Sequence, residues 1–149
     1  MTPHPDFASL EMPQIHHLGT FQLAMLTADD LEEDYAAIMS SASVLKGLFG
    51  DAWPTGWTIS EDETDLHWHH REFTAKRSFA WVIRTEELGY IGCAYLFPEI
   101  ATSGVGDAVY WMIDTPERVA QLNEFGPLYV DWLRTVLPEG YALSIRRND

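Results

Sequence analysis

The chain has 149 residues, and nine basic against 23 acidic side chains leave it a formal charge of −14. That balance excludes a nucleic-acid partner and docking on an anionic membrane, both of which need a basic footprint. The length and a 46% hydrophobic content suit one globular domain, no apolar run approaches the roughly 20 residues of a membrane span, and the single cysteine, Cys93, precludes an internal disulfide framework and fits a reducing cytoplasm.

Residues 1–14 read as a flexible lead-in, because Pro3, Pro5 and Pro13 block regular structure and Met1–Asp6 does not resemble a signal peptide. A single domain over 15–149 is expected to follow. Its first strand falls within His16–Leu26, over Thr20–Leu26. Thr27 can cap the next helix, with Asp29 and Asp30 in the first turn, where the dipole favours acids. Leu31, Tyr35, Ile38 and Met39 supply its apolar stripe. Ser43–Phe49 reads as a short second helix closed by Gly50. Asp51–Trp57 is a loop with two indoles, Trp53 and Trp57. A third helix is expected from Ser60, in capping-box spacing with Glu63, to about Lys76 or Arg77. Leu66, His69 or His70, and Phe73 are its inward residues.

Three strands come next: Phe79–Arg84, Gly89–Phe97 and Asp107–Ile113. Each is rich in aromatic and β-branched residues and bounded by Gly, Pro or charged turn residues. Thr85–Gly89 is short enough for a hairpin loop, and Pro98 cannot donate to a ladder. Glu99–Gly106 is a polar connection. Thr115-Pro-Glu117 opens a helical segment, which Gly126-Pro127 should kink or divide. Leu128, Tyr129, Trp132, Leu133 and Val136 form the stripe of its second part. Pro138–Gly140 ends it, and Tyr141–Ile145 is the last strand. The fold class is therefore α+β (α/β layered): a mixed, largely antiparallel sheet of about five strands flanked by helices.

This order, together with the phrases Ile91-Gly-Cys-Ala-Tyr-Leu-Phe-Pro98 and Ala108-Val-Tyr-Trp111, resembles the GNAT acyltransferase superfamily over residues 20–147. The chain is similar to a short, divergent subgroup of it. The resemblance implies transfer of an acetyl group from acetyl-CoA to an amine by a cytoplasmic monomer or homodimer. It places the pantetheine arm on the backbone of the fourth strand, at Val109, Trp111 and Met112. It places the pyrophosphate at the start of a following helix, where free amides and the dipole favour an anion. The superfamily's Arg/Gln-x-x-Gly-x-Gly/Ala loop is missing. The substitute is Asn123–Pro127, which contains Gly126, with Arg118 as the nearest cation; Glu124 and Pro127 oppose an anion there, so weak CoA binding is expected. Tyr110 is the candidate proton donor to the leaving thiolate. His69, His70 and Glu99 are the candidate general bases, because each lies near an end of the central strands. The alternative is a non-catalytic GNAT-fold binding module that has lost strong CoA binding.

The densest titratable cluster is Asp65, His67, His69, His70 and Glu72. On a helix Asp65, His69 and Glu72 share a face. The i, i+4 histidine pair of a zinc helix is absent, so a polar face with one histidine partly buried explains the cluster better than a metal does. Cys93, inside an apolar strand, reads as a small hydrophobe rather than a nucleophile. Most of the tryptophans read as core; Trp53 and Trp57, on a loop, are placed to cover a pocket.

Overall fold

The structure, a computed structural model, describes residues 1–149. Its elements run β1 (Ile15–Leu18), β2 (Phe21–Met25), a 3₁₀ turn (Ala28–Asp30), α1 (Leu31–Ser40), α2 (Ala42–Leu45), α3 (Ile59–Thr74), β3 (Phe79–Thr85), β4 (Gly89–Pro98), β5 (Val105–Met112), α4 (Arg118–Val136) and β6 (Ala142–Arg147). The six strands form one sheet in sequence order. Every neighbouring pair is antiparallel except β5 and β6, which are parallel. The first strand expected over Thr20–Leu26 is thus half of a hairpin: Gly19, at φ +60, reverses the chain between β1 and β2.

The centre of the sheet is buried on both faces, which is why β3, β4 and β5 read as continuous apolar runs. Phe79, Trp81, Ile83, Leu96, Ala108, Tyr110 and Met112 point to one core, closed by Leu122, Phe125, Tyr129 and Leu133 of α4. Ala80, Val82, Cys93, Tyr95, Val109 and Trp111 point to a second, closed by Ile38 and Leu66 of α1 and α3 and by Leu45 of α2. Trp81 and Trp111 are fully buried, one in each core. Burying a large apolar side chain contributes about 1.5–3 kcal/mol.

A register shift between β3 and β4, with Ile83 opposite Gly92 but Arg84 opposite Tyr90, leaves Ile91 as the extra residue of a bulge. The bulge breaks strict alternation: Tyr90 and Cys93, three apart, both join the core under α1 and α3. Gly92 is needed beside it, since a Cβ there would run into the Trp111 carbonyl.

Several local expectations are corrected. The α3 capping box is Thr58 with Glu61, two residues before Ser60 with Glu63, and the helix ends at Thr74. The buried face of α1 carries Asp34, Ala37 and Ile38, whereas Met39 is exposed. The second helix is only Ala42–Leu45. Thr115 does not cap α4, whose N-cap is Glu117. Gly126-Pro127 does not divide that segment: Pro127 lies inside α4, which continues because its apolar stripe stays seated on the sheet. Residues 1–14 hold no helix or strand, yet Phe7 is fully buried and the Pro13 carbonyl accepts from Trp81 Nε1 at 2.9 Å.

Candidate functional site

Under α1 and α3 the second core opens into a pocket of about 320 Å³. The loop over 46–58 roofs it with Phe49, Trp53 and Trp57; Tyr95 and Phe97 of β4 and Trp68 of α3 complete its aromatic wall. The rings hold one another edge to face: Phe49 meets Trp53 and Tyr95 at 5.1 Å between centroids, and Trp53 meets Trp57 at 6.4 Å. Tyr35 Oη of α1 pins the loop by donating to the Trp57 carbonyl at 3.0 Å.

Asp34 and His69 reach the same pocket, and both are more than nine-tenths buried. Asp34 stands on α1 at three residues from Leu31 and four from Ile38, so the helix turns its carboxyl inward with the apolar stripe. Tyr90 Oη donates to Asp34 Oδ1 at 2.5 Å, and Cys93 Sγ lies 3.0 Å from that hydroxyl and 3.7 Å from the same carboxyl oxygen. On α3, Asp62 is four residues before Leu66 and is fully buried. Its Oδ1 accepts from Trp57 Nε1 at 3.1 Å, while its Oδ2 has no donor. Burial first, and the neighbouring Asp62 second, raise the Asp34 carboxyl to about 8; burial also raises Asp62. Two facing acids in an apolar wall hold a proton between them. Burial pushes the Tyr90 and Tyr95 hydroxyls and the Cys93 thiol far above their ordinary range, so none of them ionises near neutrality.

His69 is held as a base would be. Its Nε2 lies 3.2 Å from Asp65 Oδ2, one helical turn away, and its buried Nδ1 has no partner. The Asp65 carboxylate thus stands beside one ring nitrogen, and the other is left without a protein partner. The ring packs against Trp68, Tyr95 and Phe97, which fixes its plane.

The other expected catalytic residues lie elsewhere. His70 is exposed on the outer side of α3, beside His67 and Arg71. Glu99 is exposed past the end of β4. Tyr110 is buried in the opposite core, where its hydroxyl sits so close to Gly126 of α4 that a Cβ could not fit. His70, Glu99 and Tyr110 are thus not brought together. Asp34 and Asp62 escaped the sequence reading, although both stand in step with an apolar stripe.

No protein-family model and no curated protein matches this sequence. Solved structures do match the fold. The RimL ribosomal L7/L12 α-N-protein acetyltransferase in complex with coenzyme A superposes with a TM-score of 0.68 at 12% identity, covering 88% of this chain and 73% of that one. The ribosomal-protein-S5-alanine acetyltransferase from Vibrio fischeri gives 0.65 at 12% identity, over 81% and 67%. The microcin C7 self immunity acetyltransferase MccE, in complex with acetyl-CoA and AMP, gives 0.60 at 15% identity, over 90% and 73%. The chain has the GNAT fold.

In the GNAT frame β5 is the strand expected to carry Val109, Trp111 and Met112 against pantetheine. Val109 pairs with Tyr95 on one side and with Arg146 of β6 on the other. Past the last β6 pair, Asn148 continues the edge: its Oδ1 accepts from the Met112 amide at 3.0 Å and its Nδ2 donates to the Met112 carbonyl at 2.9 Å. Asn148 therefore makes the two backbone bonds that a pantetheine amide would make at Met112. Asn123–Pro127 is corrected as a helix start, since it lies in the middle of α4, and Gly126 presents no terminal amide. The helix begins at Arg118 instead. There the Val119 and Ala120 amides have no backbone acceptor, and Arg118 Nε and Thr115 Oγ1 are buried without partners. These are donors that suit a phosphate. Asp114 and Glu117 set negative charge beside them.

Proposed function

We propose that this chain is an N-acyltransferase that moves an acetyl group from acetyl-CoA to a small-molecule amine held in the aromatic pocket, with His69 as general base. The observation that carries the reading is His69 itself: a buried imidazole 3.2 Å from the Asp65 carboxylate, in the wall of a ligand-sized cavity. The superfamily fold is the second support. Bound acetyl-CoA supplies an activated acyl group as its thioester. The His69 imidazole takes the proton that the amine must lose in forming the amide. The departing thiolate needs little help from an acid, since a thiol has an ordinary pKa of about 8.5.

The α4 start is the proposed phosphate site, through Arg118, Thr115 and the free amides of Val119 and Ala120. An arm running from there lies against Met112 and Trp111, past the last β6 pair at Tyr110 and Arg147; Val109, paired with Tyr95 on one side and Arg146 on the other, is not open to it. Of the three residues expected along the arm, that path uses Trp111 and Met112. Gly126 takes no part in it, and Tyr110, Glu99 and His70 are not needed.

Free thiol released from acetyl-CoA, followed over a panel of primary and secondary amines, tests the proposal. At least one amine should raise thiol release above the rate with water alone. His69→Gln should cut that gain by about 10²–10⁴ while leaving the melting midpoint nearly unchanged. A variant that keeps full activity would remove His69 from the base role, and a panel with no gain would remove the acyltransferase reading.

A further inference from the structure

The pocket has a composition that specifies its ligand further. Its walls are indole, phenol and phenyl rings, and no lysine or arginine lines it. Its polar groups are carboxylates and one imidazole: Asp34 on α1, with Asp62 behind it, and Asp65 and His69 on α3. Asp34 is 3% exposed and still lines the cavity. Asp62 Oδ2 is buried with no donor from the protein. An acid pair of this kind is satisfied only by a proton or by a cation.

We propose that this pocket selects an organic cation, an ammonium carried on an apolar or aromatic skeleton, with its charge on the Asp34–Asp62 pair and its carbon frame against Trp53, Trp57 and Tyr95. The inference rests on the reading of the pocket as the acceptor site and gives that site its ligand class. Three forces act together. Aromatic faces attract a cation, and more strongly as water is excluded. The carboxylate pair supplies a counter-charge in a low-dielectric wall, and an anionic ligand meets only repulsion there. An ammonium has N–H donors for the Asp34 carboxyl, the member of the acid pair that lines the cavity. The shallow depression beside His67 and His70 has none of this enclosure.

A consequence follows for protons. The groups facing the Asp34 carboxyl are Asp62, Asp65 and His69 from α3, and Tyr90, Cys93 and Tyr95 from β4. The groups on β4 do not ionise near neutrality, so the proton that a bound cation displaces is the one the Asp34–Asp62 pair holds. Cation binding at neutral pH therefore releases a proton to the buffer.

The test uses the whole chain with no acyl donor, so that its outcome is independent of acetyl transfer. Tryptophan emission is followed while benzylammonium, benzyl alcohol or benzoate is added. Benzylammonium should quench to saturation, with benzyl alcohol at least about tenfold weaker and benzoate weaker still. Asp62→Asn should erase the preference for the cation over the alcohol, with its melting midpoint measured alongside. Calorimetry on the unaltered protein, in phosphate and in Tris at neutral pH, should give heats that differ as proton release requires. Equal affinity for benzylammonium and benzyl alcohol would overturn the proposal, as would heats independent of buffer. So would a folded Asp62→Asn protein that still prefers the cation. Thiol release with uncharged amines alone would leave the acyltransferase reading standing and the cation pocket refuted.

Discussion

The two faces of the sheet are packed to equal depth but with different chemistry. The α4 face is a conventional core: Phe79, Trp81, Phe125 and Tyr129 interlock, and its buried Tyr129 hydroxyl is satisfied by the Tyr95 carbonyl at 2.8 Å. The α1/α3 face buries Asp34, Asp62, His69, Tyr90 and Cys93, with the Tyr90 hydroxyl and the Cys93 thiol against the Asp34 carboxyl. Buried acids lower stability unless something is gained by them. One face therefore holds the fold together, and the other holds a site at some cost to it. A substitution on the first should be read out in stability, and on the second in activity, ligand choice and pH dependence.

The largest expected effect lies on the site face. His69→Gln should lower amine-dependent thiol release by about 10²–10⁴ with little change in unfolding midpoint. If stability collapses with activity, the distinction between the faces fails at its strongest point. The reciprocal change is Phe125→Ala on the α4 face, which removes a fully buried ring stacked on Tyr129 at 5.3 Å. It should cost about 3–5 kcal/mol in denaturant unfolding. Benzylammonium affinity measured well below the midpoint should be unchanged.

The same division explains what could be read in advance. The α4-face core and the central strands were legible because apolar runs between Gly and Pro are strong signals, and the family resemblance rested on them. Strand β1 was not, because Ile15-His-His-Leu18 is short and mostly polar. The start of α3 was misread by two residues: Thr58–Glu61 and Ser60–Glu63 have identical capping spacing, and only the observed bonds choose between them. Gly126-Pro127 looked like a break, but the glycine answers to the Tyr110 hydroxyl across the interface. Pairing in space, rather than local propensity, decides each of these. The site was half legible. His69 and the tryptophan loop are among the residues the sequence singles out, whereas Asp34 and Asp62 are not. Their signal was present: Asp34 falls in step with Leu31 and Ile38, and Asp62 with Leu66, His69 and Phe73. An acid within an apolar stripe marks a buried acid, at the spacing that turns it inward.

The buried acids should also write a pH dependence into stability. The folded Asp34 holds its proton up to about pH 8, while in the unfolded chain it releases it near 3.8. Between those values the folded state binds more protons, so its stability falls as pH rises through that window. The fall amounts to several kcal/mol from this group, by linkage at about 1.36 kcal/mol per unit. Denaturant unfolding from pH 5 to pH 8 should show it, and Asp34→Asn should flatten the curve and stabilise the protein most at the upper end. A parallel decline in the variant would place the titrating group elsewhere.

The smallest effect is expected at Asn148, on the sheet edge between the faces. Its side chain satisfies both backbone groups of Met112, and its own carbonyl accepts from Arg118. Asn148→Ala leaves the Met112 amide and carbonyl without those partners, at a cost of about 1–3 kcal/mol. For the intact protein, an arm lying along β5 must first displace Asn148 and so exchanges bonds rather than adding them. The acids at Asp114 and Glu117 and the charge of −14 further oppose an anionic ligand, and weak acetyl-CoA binding is expected. In the variant the Met112 amide and carbonyl are already free for the arm. Two freed hydrogen bonds at about 1 kcal/mol each correspond to a gain in acetyl-CoA affinity of roughly tenfold or somewhat more. Calorimetry at low salt on both proteins measures it, and the two quantities should move in opposite directions: lower stability without ligand, tighter binding with it. If stability drops and acetyl-CoA affinity does not rise, the arm does not use the Met112 edge. The path from the α4 start along β5 would then have to be redrawn.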